Sequence, residues 1–252
     1  MTSRRSRSPA SSLNRHAGIA IIALTYCILA ASYAVLTPPW ESPDEPAHYR
    51  YVEQLAQRWR PPPDSEIRQQ NRFSKDHRYI SSNYEWYQPA LGYLPGALVY
   101  DLIQWLWPST LPQEIPPLNP RFGEHSNLFV HQNKEPLKVW SGQEGLLILR
   151  VTSSFLGLLP VFAAYRMGRE LGGKELGLTA AGWIAFLPQF SFITASLRSD
   201  TMANAVGALV CLVSIEILMR QVGPAKFGLL GSLIGLGVSL FGACRLLSGD
   251  GL

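Results

Sequence analysis

Cysteine is nearly absent from this chain: Cys27, Cys211 and Cys244 are the three present, each inside an apolar run and none in CxxC spacing. That excludes a disulfide framework and a thiolate metal site, and the three read as small membrane-buried residues. No glycine-rich nucleotide loop, nucleophile elbow or HExxH element occurs, which removes the commonest soluble hydrolase and nucleotide chemistries. The net charge is +4, but the basic residues form no cluster with interleaved aromatics, so no nucleic-acid surface is expected. The apolar runs carry no mid-span charges and no broken pair of half-helices, which argues against a transporter.

What is present is unevenly distributed. Mean hydropathy is only +0.05 because long apolar runs flank a polar middle, the pattern of a multi-pass membrane protein with one large extramembrane loop. The expected fold is all-α and polytopic, with about five transmembrane helices and interfacial helices in a long first exoplasmic loop. Residues 1–16 carry Arg4, Arg5, Arg7 and Arg15 and no acid, and read as a disordered basic cytoplasmic tail. Residues 17–36 are uncharged and of bilayer length. A cleaved signal peptide competes here, with LAASYA as a small-residue cleavage site, but the run exceeds a usual signal core. A retained first span with its N-terminus in the cytoplasm is expected, in a plasma-membrane protein.

Residues 37–145 form the expected exoplasmic loop. It opens with Ser42-Pro43-Asp44-Glu45, a capping box that would use both acids to satisfy a helix N-terminus. Tyr51, Val52, Leu55 and Trp59 follow at helical spacing, and Asp44 and His48 share their stripe, so the carboxylate should face membrane or protein. Pro61-Pro62-Pro63 ends the helix, and a charge-mixed stretch with Arg68 and Arg72 leads to an aromatic cluster from Asn83 to Tyr93. Leu91 to Trp107 contains Pro95, Gly96 and Asp101 and ends in Trp105 and Trp107; a helix lying in the interface is expected rather than a span. Pro108 to Lys138 reads as loop. Trp86, Trp105, Trp107 and Trp140 are expected as interfacial anchors, and His77, His125 and His131 as surface residues.

Residues 146–252 should hold spans two to five: Leu146–Tyr165, Leu176–Leu197, Thr201–Met219 and Phe227–Leu247. Arg166, Arg169, Lys174, Arg220 and Lys226 mark inner ends, with Arg198 and Arg245 as exceptions at outer ends. Glu216 should pair with Arg220 four residues on, and Gly228, Gly231, Gly235 and Gly237 should permit close helix contact. This parity returns the Ser199-Asp200 corner to the side of Asp44 and Glu45. Acids at a membrane surface beside arginines suit transfer from a lipid-carried substrate: a carboxylate takes the proton of an acceptor hydroxyl while a cation or arginine neutralises the leaving phosphate. Arg50, Arg68, Arg72 and Arg150 are candidates for that contact. Asp44 and His48, with Asp200, offer a weak divalent-metal set.

One basic-flanked helix, then Pro43-Asp44-Glu45-Pro46-Ala47-His48, then Tyr87-Gln88-Pro89-Ala90-Leu91, Arg150 opening the second span and Ser199-Asp200 after the third: this order resembles the GT-C superfamily. These polytopic glycosyltransferases use polyprenyl-phosphate sugars. They include the protein O-mannosyltransferases, the aminoarabinose transferases and an uncharacterised bacterial multi-pass family with a Pro-Asp-Glu-x-x-His element. The resemblance implies Asp44 as catalytic base or metal ligand, Glu45 as its support and Asp200 as the later acid. His48, Arg50, Tyr87, Gln88 and Arg150 would be on the substrate side. It also implies a polyprenyl-phosphate sugar donor and membrane lipid as partners. Where the superfamily usually has His-Pro-Pro-Leu, this chain has Gln88-Pro89-Ala90-Leu91. Its members also continue for further spans, so this chain is expected to match an N-terminal half, truncated or working with a partner subunit. The competing expectation is a non-catalytic membrane subunit or lipid-binding protein whose acids only cap helices.

Overall fold

The computed structural model describes residues 10–60, 88–121, 127–131, 138–220 and 223–240. Arg68, Arg72, His77, Trp86, Tyr87, His125 and Arg245 lie outside them. Among the described residues the fold is all-helical apart from an isolated bridge between Leu118 and Phe129. The helices are α1 (Ala10–Leu36), α2 (Glu45–Arg58), α3 (Leu94–Leu106, entered through a 3-10 turn at Ala90–Tyr93), α4 (Glu144–Leu156), α5 (Leu158–Ala185), α6 (Pro188–Thr194), α7 (Asp200–Met219) and α8 (Pro224–Leu240).

Among the described residues three stretches are long and apolar enough to cross a membrane, His16–Leu36, Glu144–Ala185 and Asp200–Met219, as in a multi-pass membrane protein. The sequence led us to expect about five. The difference has a physical origin: the expected second span and the first part of the third, as far as Ala185, fall within one apolar helical stretch of 42 residues, while the last helix is described only to Leu240, 17 residues in all. A straight helix over the 42 residues would extend about 63 Å, roughly twice the hydrocarbon thickness. It is not straight. The backbone leaves helical geometry at Gly172 and Gly173, the latter at φ 83°, a conformation suited to glycine. A Cβ on Gly168 would stand 2.7 Å from the Cα of Gly177, so the chain doubles back with its two backbones in direct contact.

The helices run between two rims. α7 has Asp200 at its start and Arg220 just past its end, about 30 Å apart at 1.5 Å per residue. At the Arg220 end, Arg220 donates to Glu170 at 2.8 Å and Arg166 to Glu216 at 2.7 Å. Lys226 also donates to Glu216. The expected Glu216–Arg220 pair is therefore not formed; partners on α5 and α8 displace it, because interhelical contacts reach both side chains better than the local i,i+4 geometry does. Midway, Tyr26 of α1 is buried, its hydroxyl 3.0 Å from the Ser154 carbonyl and 2.8 Å from Thr194 Oγ1. Gly157 makes room for it, since a Cβ there would meet that hydroxyl at 2.0 Å. Of the glycine contacts expected of the last span, a Cβ at Gly228, Gly231 or Gly235 meets nothing within 4 Å among the described residues, whereas one at Gly237 reaches Val206 Cγ1 on α7 at 3.8 Å.

A second core is built on Trp40, Tyr49, Tyr51, Leu55, Tyr93, Tyr100 and Ile103. α3 spans 13 residues, about 20 Å, too short to cross a bilayer. Ala97, Tyr100 and Ile103 face inward against α2, while the apolar side chains of Leu98, Leu102 and Trp105 are exposed on the other side. Trp105 and Trp107 are exposed, whereas Trp140, expected as an interfacial anchor, is buried and donates from its indole N–H to the Val35 carbonyl. His131 is likewise no surface residue: its Nε2 lies 2.9 Å from Glu41, whose carboxylate also accepts the Leu128 and Phe129 amides. Burial alone would raise the Glu41 pKa, but these hydrogen bonds hold it below the ordinary carboxylate value.

Candidate functional site at the acidic rim

The capping box expected at Ser42–Glu45 is absent. α2 begins at Glu45, with Pro46 in its first turn and Asp44 as an N-cap residue in the left-handed region at φ 62° whose side chain makes no capping hydrogen bond. Ser42 Oγ is buried without a partner. Both acids are thereby released from the helix terminus, and they turn opposite ways.

Glu45 turns inward. Fully buried, it accepts Arg150 Nε at 2.7 Å and Arg150 Nη2 at 2.5 Å. It also accepts the amides of Trp40 at 3.0 Å and Leu197 at 3.5 Å. Arg150 spends its remaining N–H groups on the carbonyls of Ala34, Thr37 and Pro38, at 2.8, 2.6 and 3.0 Å. Its guanidinium lies over the Trp140 ring, 4.9 Å from the centroid. A guanidinium has five N–H donors and all five are used. Arg150 has none left for a substrate phosphate, and Glu45 none of its carboxylate exposed for proton transfer. The pair instead locks the end of α1, the following turn, α2, α4 and the segment before α7 into one body.

Asp44 turns outward. Its carboxylate lies 3.8 Å from Arg198 Nη2, while Arg198 Nε donates to Asp200 at 3.2 Å. The two acids expected on one face thus share a single guanidinium. Their side chains are 46% and 54% exposed, against 16% for Arg198, so a desolvated cation sits between two accessible carboxylates. Asp44 was expected to face membrane or protein; its left-handed backbone rotates it to the rim instead. Asp44 shares a positive φ with Trp40 and Trp59, a conformation that persists only where the surroundings hold it. Arg198 was missed as a site residue, although an arginine at an outer helix end, against the positive-inside pattern, was the available signal.

Behind the rim runs a polar chain. Ser199 Oγ and the Tyr93 hydroxyl both donate to Gln88 Oε1, the latter at 2.8 Å, and Tyr93 lies 2.7 Å from His48 Nδ1. With the Tyr93 proton given to Gln88, the network assigns the His48 proton to Nδ1, leaving Nε2 as a buried lone pair without a partner. Burial, reinforced by the Arg198 charge, lowers the His48 pKa to about 3, so the ring is neutral. Tyr51 stacks on Tyr93 with centroids 4.1 Å apart and donates to the Gln88 carbonyl. Gly92 fits this chain against α7, as a Cβ there would meet Ser199 Cβ at 2.9 Å. Of the expected site residues, Asp44, Asp200, Gln88 and His48 are therefore connected through Arg198 and Ser199. Arg50 is committed to Glu53 at 2.8 Å on the same helix, and Tyr87 lies outside the described residues.

A divalent cation would find two carboxylates here, both held by Arg198, and a sealed imidazole. Among the described residues no three His, Cys, Asp or Glu side chains are grouped to hold a metal ion. The residues present do not fit a protein-built metal centre. Comparison with protein-family models, curated proteins and solved structures finds no match.

Proposed function

We propose that this chain is a membrane glycosyltransferase of GT-C type, or part of one, that transfers a sugar from a polyprenyl-phosphate donor at the acidic rim. In this reading the chain crosses the plasma membrane five times. The folded-back stretch Glu144–Ala185, continued by α6, supplies two crossings and α8 the last; the N-terminus is cytoplasmic and the acidic rim exoplasmic. The observation that carries the reading is the meeting of Asp44 and Asp200 on Arg198, with Asp44 freed from helix capping. Asp44 takes the proton of the acceptor hydroxyl as its oxygen bonds to the sugar's anomeric carbon. The anomeric carbon–oxygen bond to phosphate breaks, and the polyprenyl phosphate leaves with the added negative charge. Arg198 exchanges its carboxylate contacts for that phosphate. Asp200 holds Arg198 in place, and the Gln88–Ser199 chain positions the corner. Glu45 and Arg150 support the site as scaffold.

Asp44→Asn removes the base at constant shape. Transfer from a labelled polyprenyl-phosphate sugar in membranes should fall by a factor on the order of 10² to 10⁴, with expression and insertion unchanged. Transfer at the wild-type rate would remove Asp44 from the reaction. The alternative, a non-catalytic subunit or lipid-binding protein, draws support from the contact of both acids with the single Arg198 guanidinium in this conformation. It predicts that Asp44→Ser leaves function unaltered.

A further inference from the structure

At the rim opposite Asp44 and Asp200, a cavity of about 510 Å³ opens among α1, α5 and the end of α7. Its polar walls are His16, Arg166, Arg169, Glu170 and Arg220, and its apolar side is Ile19, Phe162 and Tyr165. The charges do not balance. Glu170 is engaged by Arg220, and Glu216 is shared by Arg166 and Lys226, so four cations meet two carboxylates. Arg169 is the surplus: it stacks on the Tyr165 ring at 5.5 Å and has no carboxylate partner among the described residues. Arg166 and Arg220 keep half or more of their side-chain surface exposed, at 50% and 56%. Phe162, 41% exposed, continues the apolar wall onto the outward surface of α5, where Leu159 is also exposed.

A basic recess with an apolar wall at the end of long apolar helices matches an amphiphile with an anionic head, and basic pockets between membrane helices bind lipid headgroups. We infer that this cavity binds the phosphodiester headgroup of an anionic phospholipid from the leaflet at that rim, with Arg169 as the principal contact and Phe162 against the glycerol and upper acyl chain. A soluble phosphate would satisfy the arginines equally but would leave the Phe162 and Ile19 wall uncovered. The inference is independent of the chemistry at the acidic rim.

The test is native mass spectrometry of the full chain released from detergent micelles with phosphatidylglycerol, phosphatidylcholine or inorganic phosphate added. Retained phosphatidylglycerol should exceed phosphatidylcholine by roughly 5-fold or more, the effect of about one arginine at a membrane surface. Arg169→Gln should bring the two lipids level, Arg169→Lys should restore most of the preference, and millimolar phosphate should not displace the lipid. Equal retention of both lipids by the wild type, or an unchanged preference in Arg169→Gln, would overturn the proposal. Displacement by phosphate would assign the cavity to a soluble anion instead. Because Arg169 also packs on Tyr165, a second readout leaves every arginine intact: the fluorescence that Phe162→Trp adds to that of the seven native tryptophans should be quenched more by brominated phosphatidylglycerol than by brominated phosphatidylcholine, and equal quenching of that added signal would also overturn it.

Discussion

Arg150→Met is the sharpest perturbation of the buried frame. It would leave the fully buried Glu45 carboxylate with only the Trp40 and Leu197 amides, and the carbonyls of Ala34 and Thr37 without the arginine donor, while the Pro38 carbonyl keeps the Glu41 amide at 3.2 Å. Removing one partner of a buried ion pair costs about 3–5 kcal/mol, and each carbonyl stranded from hydrogen bonding adds on the order of 1 kcal/mol, with incomplete additivity. A loss of about 5 kcal/mol is comparable to the whole stability of many proteins, so this variant should fail to accumulate as a monodisperse species. Glu45→Gln keeps the shape and one acceptor for Arg150, and should cost about 3 kcal/mol. The double variant Glu45→Gln with Arg150→Met should be less damaged than the sum of the singles, because no unpaired charge remains. Arg150→Lys, with three donors on a flexible stem and no planar fork, should lose a large part of the stabilisation. The assay is denaturant titration of the purified protein in micelles, read beside thermal loss of the monodisperse peak. Stability of Arg150→Met within about 1 kcal/mol of wild type would refute the assignment of this pair as the frame's lock.

Two other predictions concern protonation and packing. His48 stays neutral in the folded protein down to about pH 3. The unfolded chain takes up its proton near 6.5, so stability is full above that value and falls by about 1.4 kcal/mol per pH unit below it; Glu41, with its lowered pKa, acts in the same direction at lower pH. Midpoints at pH 6.5 and 5.0 should show this loss in the wild type and a smaller one in His48→Gln, and identical losses would contradict the buried neutral ring. Gly157→Ala drives a Cβ to 2.0 Å from the Tyr26 hydroxyl and Gly168→Ala one to 2.7 Å from the Gly177 backbone. Each should cost on the order of 1–3 kcal/mol of overpacking strain in the same titration, and a neutral Gly168→Ala would mean that the chain does not fold back as described.

The apolar runs were legible because hydrophobicity is a property of composition, and the basic residues at one set of helix ends were legible because they flank those runs. The same charge pattern puts Asp44 and Asp200 at one set of helix ends. What could not be read is partnership across the chain. Arg150 looked like a phosphate ligand because nothing local occupies it; its partner Glu45 lies 105 residues away in sequence. Glu45 and Ser42 fit a capping box by spacing, and only the left-handed backbone at Asp44 shifts the helix start and frees both carboxylates. Glu216 was given to its i,i+4 neighbour for the same reason, and His131 to solvent. Arg198 was visible as an exception to charge sidedness, and such exceptions are where function enters.

The claim on which the rest depends is that the carboxyl ends of Asp44 and Asp200 share one side of the bilayer, with Arg169 on the other. Single substitutions Asp44→Cys, Asp200→Cys and Arg169→Cys, in a background with Cys27, Cys211 and Cys244 replaced by serine, make this measurable in sealed right-side-out vesicles. A membrane-impermeant maleimide should label positions 44 and 200 directly, and position 169 only after the vesicles are opened. Labelling of 44 and 200 from opposite sides would contradict it.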